Sequence, residues 1–532
     1  MSTRRLKQRN IYIFLTVYII FLSSQVNAQD FLSSQYSSHL RISSILEEKV
    51  LKGQNYLTYT TLTNEINNAS EDLFWDQNFI DGFGSEEKNV HIEPIIIFTS
   101  FNSEYPHGFN DGGLWQGAGI NTLIQTGASF DYKGLSVNVH PEFLLSENNS
   151  YDVMPADNSF SSKYAYFVRN IDLPQRFGDD VYQKFSWGES EIRYKFKCLQ
   201  IGFGWQNAWV GPATQNPILL GNSADGFPKI DFGFRKDIKY VGLLDVRALW
   251  GKTSESGYFN DISTDDHNLF SGFFLSYVPH FIPGFTLGVN RIKLSPWVNL
   301  SFSDVITIFD PESDSKYGRD TADQRASVTC EWKFPNAGFR SYFEWARNDY
   351  SPTLRDNILL EPSHSQAYTL GLEQVVFIKK KHLLSVNAEI TQLIHSRDYE
   401  IGLGMSQTGF YTHGIIKQGH TNDGQILGAG IGPGAESQYL GIDYFFERGS
   451  VTLFFRRLSR NKDYIYGDHD REKGDILRLN VEITGGIHGL YFINNALHMT
   501  AEVNVSDNLN WNYEEGNDKI NVYCSIGLNV FI

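Results

Sequence analysis

Residues 191–235 limit the possible fold more than any other stretch, because three consecutive runs carry opposite chemistry at alternate positions. Ile192, Tyr194 and Phe196 alternate with Glu191, Arg193, Lys195 and Lys197. After a reversal at Cys198, Leu199, Ile201, Phe203 and Trp205 alternate with Gln200, Gly202 and Gly204. A long loop follows, carrying Trp209-Val-Gly-Pro212 and Asn222-Ser-Ala-Asp-Gly-Phe-Pro228. Ile230, Phe232 and Phe234 then alternate with Lys229, Asp231, Gly233 and Arg235. Successive side chains of a strand point to opposite faces, so each run has one apolar face and one charged or glycine-rich face. A half-buried soluble sheet and a membrane barrel wall both fit this pattern.

The ends of the chain choose between them. Arg4, Arg5, Lys7 and Arg9 precede an apolar run, Ile11 to Leu22, that is too short to span a bilayer. Val26-Asn27-Ala28 offers small residues for cleavage before Gln29, so residues 1–28 read as a secretory signal peptide. At the other end Ile520, Val522, Cys524, Ile526, Leu528, Val530 and Ile532 form an unbroken apolar register. Such an ending suits a final transmembrane β-strand, although the aromatic residue Phe531 is penultimate rather than last. Export and this ending together place the chain in the outer membrane, with lipid and the barrel-insertion machinery as its first partners.

Composition agrees with this placement. Aromatic residues make up 14% of the chain, as expected where rings girdle both membrane interfaces. Cleavage after Ala28 removes four of the 45 Lys and Arg and none of the 61 Asp and Glu. The remaining acidic balance argues against a nucleic-acid partner. Three cysteines are too few for a disulfide framework, and Cys330 and Cys524 fall in apolar register.

Residues 29–90 differ from the rest. Leu40, Ile42, Ile45, Leu46, Val50 and Leu51 predict one amphipathic helix, followed by polar, Asn-rich sequence. Residues 91–532 read as hairpins. Short reversals fall near Tyr132–Gly134, Lys197–Cys198, Lys236–Lys239, Pro283–Gly284, Pro335–Gly338, Lys379–His382, Glu447–Ser450 and Gly485–Asn495. Long polar or glycine-rich loops lie between them, at 146–190, 251–267, 294–323, 395–437 and 506–518. Bacterial barrels have short periplasmic turns and long outer loops, so the predicted fold is an all-β barrel of about 18 antiparallel strands. The helical segment 29–90 would sit at its periplasmic mouth.

Several blocks of this chain resemble the Wzi capsule-assembly family of outer-membrane barrels. They are Asn110-Asp-Gly-Gly-Leu-Trp115-Gln-Gly117, His140-Pro-Glu142, Arg176-Phe-Gly178, Trp187-Gly188, and the two loop motifs at 209–212 and 222–228. His364-Ser365 with Tyr368-Thr-Leu-Gly371 continues the series, as do Tyr411-Thr-His413, Gln418-Gly-His-Thr421 and Gly432-Pro-Gly434. Two positions depart from the family pattern: Val210 where Trp is usual, and His420 where Tyr is usual. The resemblance implies an 18-stranded barrel with an N-terminal helical bundle. It also implies a lectin-like, non-catalytic role in attaching capsular or exopolysaccharide to the cell surface.

A polysaccharide site needs aromatic faces for sugar rings and amides or carboxylates for hydroxyl groups. Loop 206–228 offers Trp209, Asn216, Asn222 and Asp225, and loop 395–437 offers Tyr411, His413 and His420. The plainer alternative is that these residues pack the loops into the lumen and cap turns. Enzymatic readings have less support. Gly188-Glu-Ser190 and Gly404-Met-Ser406 lack the closing glycine of a nucleophile elbow. Glu189 and Glu191 are a carboxylate pair of a kind common in a chain this acidic. His413 and His420 lack the helical spacing of a metal pair, and no motif calls for a cofactor. The rival function is a diffusion channel, with Glu191, Arg193, Lys195, Lys229, Asp231 and Arg235 lining a water-filled pore. The chain is expected to act as a monomer.

Overall fold

The reversals set the architecture. The structure, a computed structural model, describes residues 34–46, 60–61, 75, 90–156, 161–168, 170–298, 300, 302–309, 322–348, 365–394, 409–467 and 476–531. The expected signal peptide, and Val50 and Leu51 of the expected helix, lie outside the described residues. Among the described residues no helix is long and apolar enough to cross a membrane.

Twenty-two antiparallel segments are paired into one closed ring. Four consecutive pairs of segments continue each other across a break: Val90–Ile92 with Ile95–Asn102, Gly119–Gln125 with Ala128–Tyr132, Leu135–Val139 with Glu142–Ser146, and Tyr182–Ser186 with Glu191–Phe196. Joined in this way, the described segments make eighteen crossings of the wall. Two of the breaks contain Pro94 and Pro141, which cannot donate a ladder hydrogen bond. The final strand, Lys519–Val530, pairs with Ile95–Asn102 from Tyr523↔Asn102 to Val530↔Ile95, and this seam closes the barrel.

Short turns lie at one end and long loops at the other. Lys133 and Gly134 both adopt positive φ, 47° and 88°, which gives a two-residue hairpin the twist its strands require. The reversal expected at 485–495 is narrower, since Val481–Asn494 is one strand and the chain turns at Asn495 and Ala496. Gly486 is a wall position, where a Cβ would lie 2.5 Å from Asn504 Cβ and 2.7 Å from Phe454 Cζ. The glycine makes room for these neighbours rather than for a turn. The loop expected at 146–190 is also shorter, because Tyr182–Ser186 returns to the wall.

Alternation in the sequence becomes outside and inside. Ile192, Tyr194, Phe196, Leu199, Ile201, Phe203, Ile230 and Phe232 are exposed on the outer surface. Glu191, Arg193, Lys229 and Asp231 are buried on the inner one. The inner charges form a network. Arg193 meets Asp231 at 2.8 Å and Glu191 at 2.9 Å, and Arg247 reaches Asp231 at 3.2 Å. Pairing of this kind is what allows charges to sit inside a filled barrel.

The lumen is occupied. Val210, Ile218, Leu219 and Leu220 of one loop pack with Tyr411, Ile426 and Leu427 of another, against the wall residues Leu249, Phe270, Phe274 and Ile292. At the short-turn end the helix Ser34–Leu46 enters the mouth. Ile42 and Ile45 join Trp75, Val375, Leu383, Phe445 and Phe492 in a second core. Arg41 Nε donates to both carboxylate oxygens of Glu373, at 3.1 and 3.0 Å. Lys333 Nζ donates to Ser44 Oγ at 3.1 Å, and Trp75 Nε1 donates to the Gly449 carbonyl at 3.1 Å. His39 stacks on Trp75 with ring centroids 4.0 Å apart, and burial pushes its pKa down to about 3. The neutral ring is thus part of the apolar contact. The three cysteines are half-buried and form no disulfide.

Candidate functional site

Long loops need partners for their main-chain polar groups, and inside this barrel wall carboxylates supply them. Glu389 accepts N–H groups from Thr214, Gln215 and Asn216, and Glu344 accepts that of Ile218 at 3.1 Å. These anchors pull residues 206–228 down into the lumen. Arg340 Nη2 donates to the Pro212 carbonyl at 2.5 Å and adds a third tie. The N-terminal segment meets the same loop, where Thr60 and Thr61 pair with Trp209 and Ala208.

The remaining space is a cavity of about 500 Å³ between the loops, the helix and the wall. That volume lies within the ~300–1,000 Å³ of small-ligand pockets. Trp209, Asn222 and Asp225 line it. Trp209 Nε1 donates to the Ala213 carbonyl at 3.0 Å, which fixes the ring. Asn222 knits two loops together: its Oδ1 accepts from Asn207 Nδ2 at 2.7 Å and its Nδ2 donates to the Asn110 carbonyl at 2.9 Å. Asp225 accepts Ser186 Oγ–H at 2.6 Å and pairs with Lys184 at 2.8 Å.

The other four candidates lie elsewhere. Asn216 is buried, and its main-chain N–H is committed to Glu389 at 2.8 Å. Tyr411 is fully buried, donating its hydroxyl to the Ile218 carbonyl at 2.7 Å and accepting from Ala429 N–H at 2.9 Å. His420 stacks on Tyr411 at 5.2 Å, and its Nε2 lies 2.6 Å from the Leu219 carbonyl. A carbonyl only accepts, so Nε2 carries the proton. Burial, reinforced by Arg325, holds this imidazole well below its ordinary pKa, and the ring is neutral. His413 Nδ1 accepts N–H groups of Ile415 and Ile416, at 3.3 and 3.0 Å. For Tyr411 and His420 the geometry matches the plainer alternative, packing into the lumen, where enclosed polar tips bond to main chain.

Other cavity residues were not among the candidates named from the sequence. Arg340, Tyr439, Phe454 and Arg456 reach the cavity from wall strands, and Asp111 reaches it from the first outer loop. Arg456 lies over the Phe109 ring at 4.4 Å from its centroid. Burial raises the Asp111 carboxyl to about 7. Their signal was present in the alternation, because each wall residue occupies the inward register of its strand. Nothing in that register says which stretch of lumen stays open. The site thus joins aromatic faces, amides, carboxylates and guanidinium groups in one lumen cavity, a set of donors and acceptors suited to a polyhydroxylated ligand.

A sequence profile of the family described as Capsule assembly protein Wzi matches residues 103–522. Among solved structures, Wzi of Escherichia coli, described as an outer-membrane protein involved in group 1 capsule assembly and a carbohydrate-binding β-barrel, is 13% identical. The match covers 93% of this chain and 98% of that one, with a TM-score of 0.59. OprB of Pseudomonas putida is 11% identical over 90% of this chain and 100% of its own, with a TM-score of 0.37. OccAB4 of Acinetobacter baumannii is 10% identical over 84% of this chain and 99% of its own, at 0.40. No curated protein matches the chain at a significant level. The barrel, its filled lumen and the profile match over most of its length agree: this chain belongs to the Wzi family of outer-membrane capsule-assembly proteins.

Proposed function

We propose that this barrel holds capsular or exopolysaccharide at the cell surface by direct, lectin-like binding, without catalysis. One observation carries the reading: Trp209 is fixed at the wall of a lumen cavity beside the polar side chains of Asn222 and Asp225. A ring held in place stacks on a sugar at little entropic cost, while the amide and carboxylate supply hydroxyl partners. In this reading the N-terminal segment, residues 29–90, is the periplasmic plug and residues 91–532 are the barrel. The signal peptide is removed after Ala28, and the barrel acts as a monomer.

The filled lumen supports retention over diffusion, since the loop core and the docked helix occupy the space that a pore requires. Deleting the gene is expected to release polysaccharide into the medium while its synthesis continues. Unchanged retention on the cell surface would sink the proposal. Calorimetric titration of the purified barrel with the strain's own polysaccharide tests direct contact, and heat changes no larger than those with an unrelated dextran count against it.

A further inference from the structure

Among the described residues, the loops carrying Val210–Phe227 and Phe410–Ala435 pack into the lumen core, whereas the described part of the connection between Phe285–Pro296 and Asp323–Phe334 lies on the outer wall. Its described part holds a short helix, Phe302–Ile306, continued by a 3-10 turn, Thr307–Phe309. In the neighbouring strands Leu249, Phe274, Ile292 and Leu294 point inward and join the lumen core. Trp250, Phe273, Arg291 and Lys293 stand next to them in sequence and therefore point outward. The helix and turn land on these outward residues. Trp250 Nε1 donates to the Val305 carbonyl at 2.9 Å. Arg291 Nη1 donates to the carbonyls of Thr307 and Ile308 at 3.1 and 2.7 Å, and Lys293 Nζ donates to Thr307 Oγ1 at 2.9 Å. Phe309 packs edge-on against Phe273 at 5.6 Å and Trp250 at 6.2 Å.

This segment resolves one conflict and creates another. Cations facing outward on a barrel strand are unfavourable against lipid. Here the carbonyls and hydroxyl of the segment satisfy them. The described part of the connection nevertheless exposes four large apolar side chains, with Phe302 78%, Val298 59%, Phe309 54% and Ile306 46% exposed. A loop standing in water has no use for such a surface. The patch adjoins the exposed apolar wall, because Phe232 meets Trp250 at 6.1 Å and Trp250 in turn meets Phe309. At its edge Lys252 Nζ lies over the Trp297 ring at 5.5 Å, a cation and an indole of the kind that mark a membrane interface.

We propose that Val298, Phe302, Ile306 and Phe309 form an interfacial foot seated in the outer leaflet, with the lipid surface as its partner. The apolar side chains lie among the upper acyl chains, and Trp297 and Lys252 lie at head-group level. The foot orients the barrel rim against the membrane and does not depend on glycan binding.

The test uses the full-length protein with Cys198, Cys330 and Cys524 changed to Ser, reconstituted in phosphatidylcholine–phosphatidylglycerol liposomes. Single spin labels are placed through Phe302→Cys and, separately, Val298→Cys. Val289→Cys serves as the lipid-facing reference and Asp261→Cys as the loop reference. Folding of each variant is checked by its mobility without heating. The ratio of oxygen to nickel-chelate accessibility at both positions is expected to be at least threefold above that at Asp261→Cys, and close to that at Val289→Cys. A ratio equal to that at Asp261→Cys overturns the proposal. So does loss of oxygen accessibility with spin–spin broadening between molecules, which would make the patch a contact between copies of the chain.

Discussion

Glu389 on the strand His382–Gln392 takes the main-chain N–H of Asn216 through Oε1 at 2.8 Å. Its other oxygen accepts the N–H groups of Thr214 and Gln215, at 2.7 and 3.1 Å. One wall carboxylate therefore holds three successive amides of a loop that begins at the opposite side of the barrel. Replacing it with Ala strips all three of a buried acceptor. Glu389→Ala is expected to destabilise the loop by about 3 kcal/mol, at roughly 1 kcal/mol per lost bond. The check is chymotryptic cleavage near Trp209, which should quicken in the variant while the wall strands remain protected from hydrogen exchange. An unchanged cleavage rate would show that the loop is held by other contacts.

Trp209 and His420 separate binding from packing. Trp209→Ala should lower polysaccharide affinity roughly tenfold, the equivalent of about 1.4 kcal/mol. Its cost in stability should be small, because the ring borders open space. His420→Ala should do the reverse, since its Nε2 proton serves the Leu219 carbonyl deep in the loop core. Affinity should hold while unfolding becomes easier by about 1–3 kcal/mol. Titration and denaturant unfolding on the same samples decide the matter.

Arg41 joins the N-terminal helix to the wall through Glu373. Arg41→Ala breaks this contact and leaves Glu373 to Arg340, 3.4 Å away. Removing one partner of a buried pair is strongly destabilising locally, so the helix should leave the mouth part of the time. Planar-bilayer recordings are expected to show brief openings several times more frequent than in the unaltered protein. Large, steady channels before any substitution would favour the diffusion reading.

Asp172 provides the pH test. Its carboxylate oxygens accept the Ser256 N–H at 2.6 Å and the Ser256 hydroxyl at 2.7 Å, tying two outer loops together. Burial, partly offset by these bonds, raises its pKa from 3.8 to about 7, and nearby Glu255 is raised to about 8, by burial first and then by the Asp172 charge. A carboxyl with a raised folded-state pKa binds a proton on folding. Its contribution is therefore most favourable at low pH and is lost as pH climbs from about 4 to about 7 for Asp172. Stability of the outer loops should fall over that window by up to a few kcal/mol. Asp172→Asn should flatten the profile, as read by hydrogen exchange of residues 170–178 and 254–260 at pH 5 and pH 8.

The wall was legible because it obeys one local rule. Ile192, Tyr194 and Phe196 against Glu191 and Arg193 require only that neighbours in a strand face opposite ways. The turns at Lys133–Gly134 and Lys197–Cys198 follow from turn chemistry confined to a few residues. The glycines at 485–489 misled the reading, because a glycine that yields space to a neighbouring strand looks in sequence like one that turns the chain.

Sequence by itself therefore determined an alternating wall and the rough positions of its reversals, since periodicity and turn chemistry act over short range. Only the tertiary structure decided what fills the barrel. Whether Tyr411 and His420 meet solvent or the carbonyls of Ile218 and Leu219 depends on residues about 200 positions away. Whether residues 302–309 turn into the lumen or onto the outer wall depends on Arg291, Lys293 and Trp250, which lie on two different strands. Loops are placed by the partners available for their buried polar groups, and those partners converge only when the ring has closed.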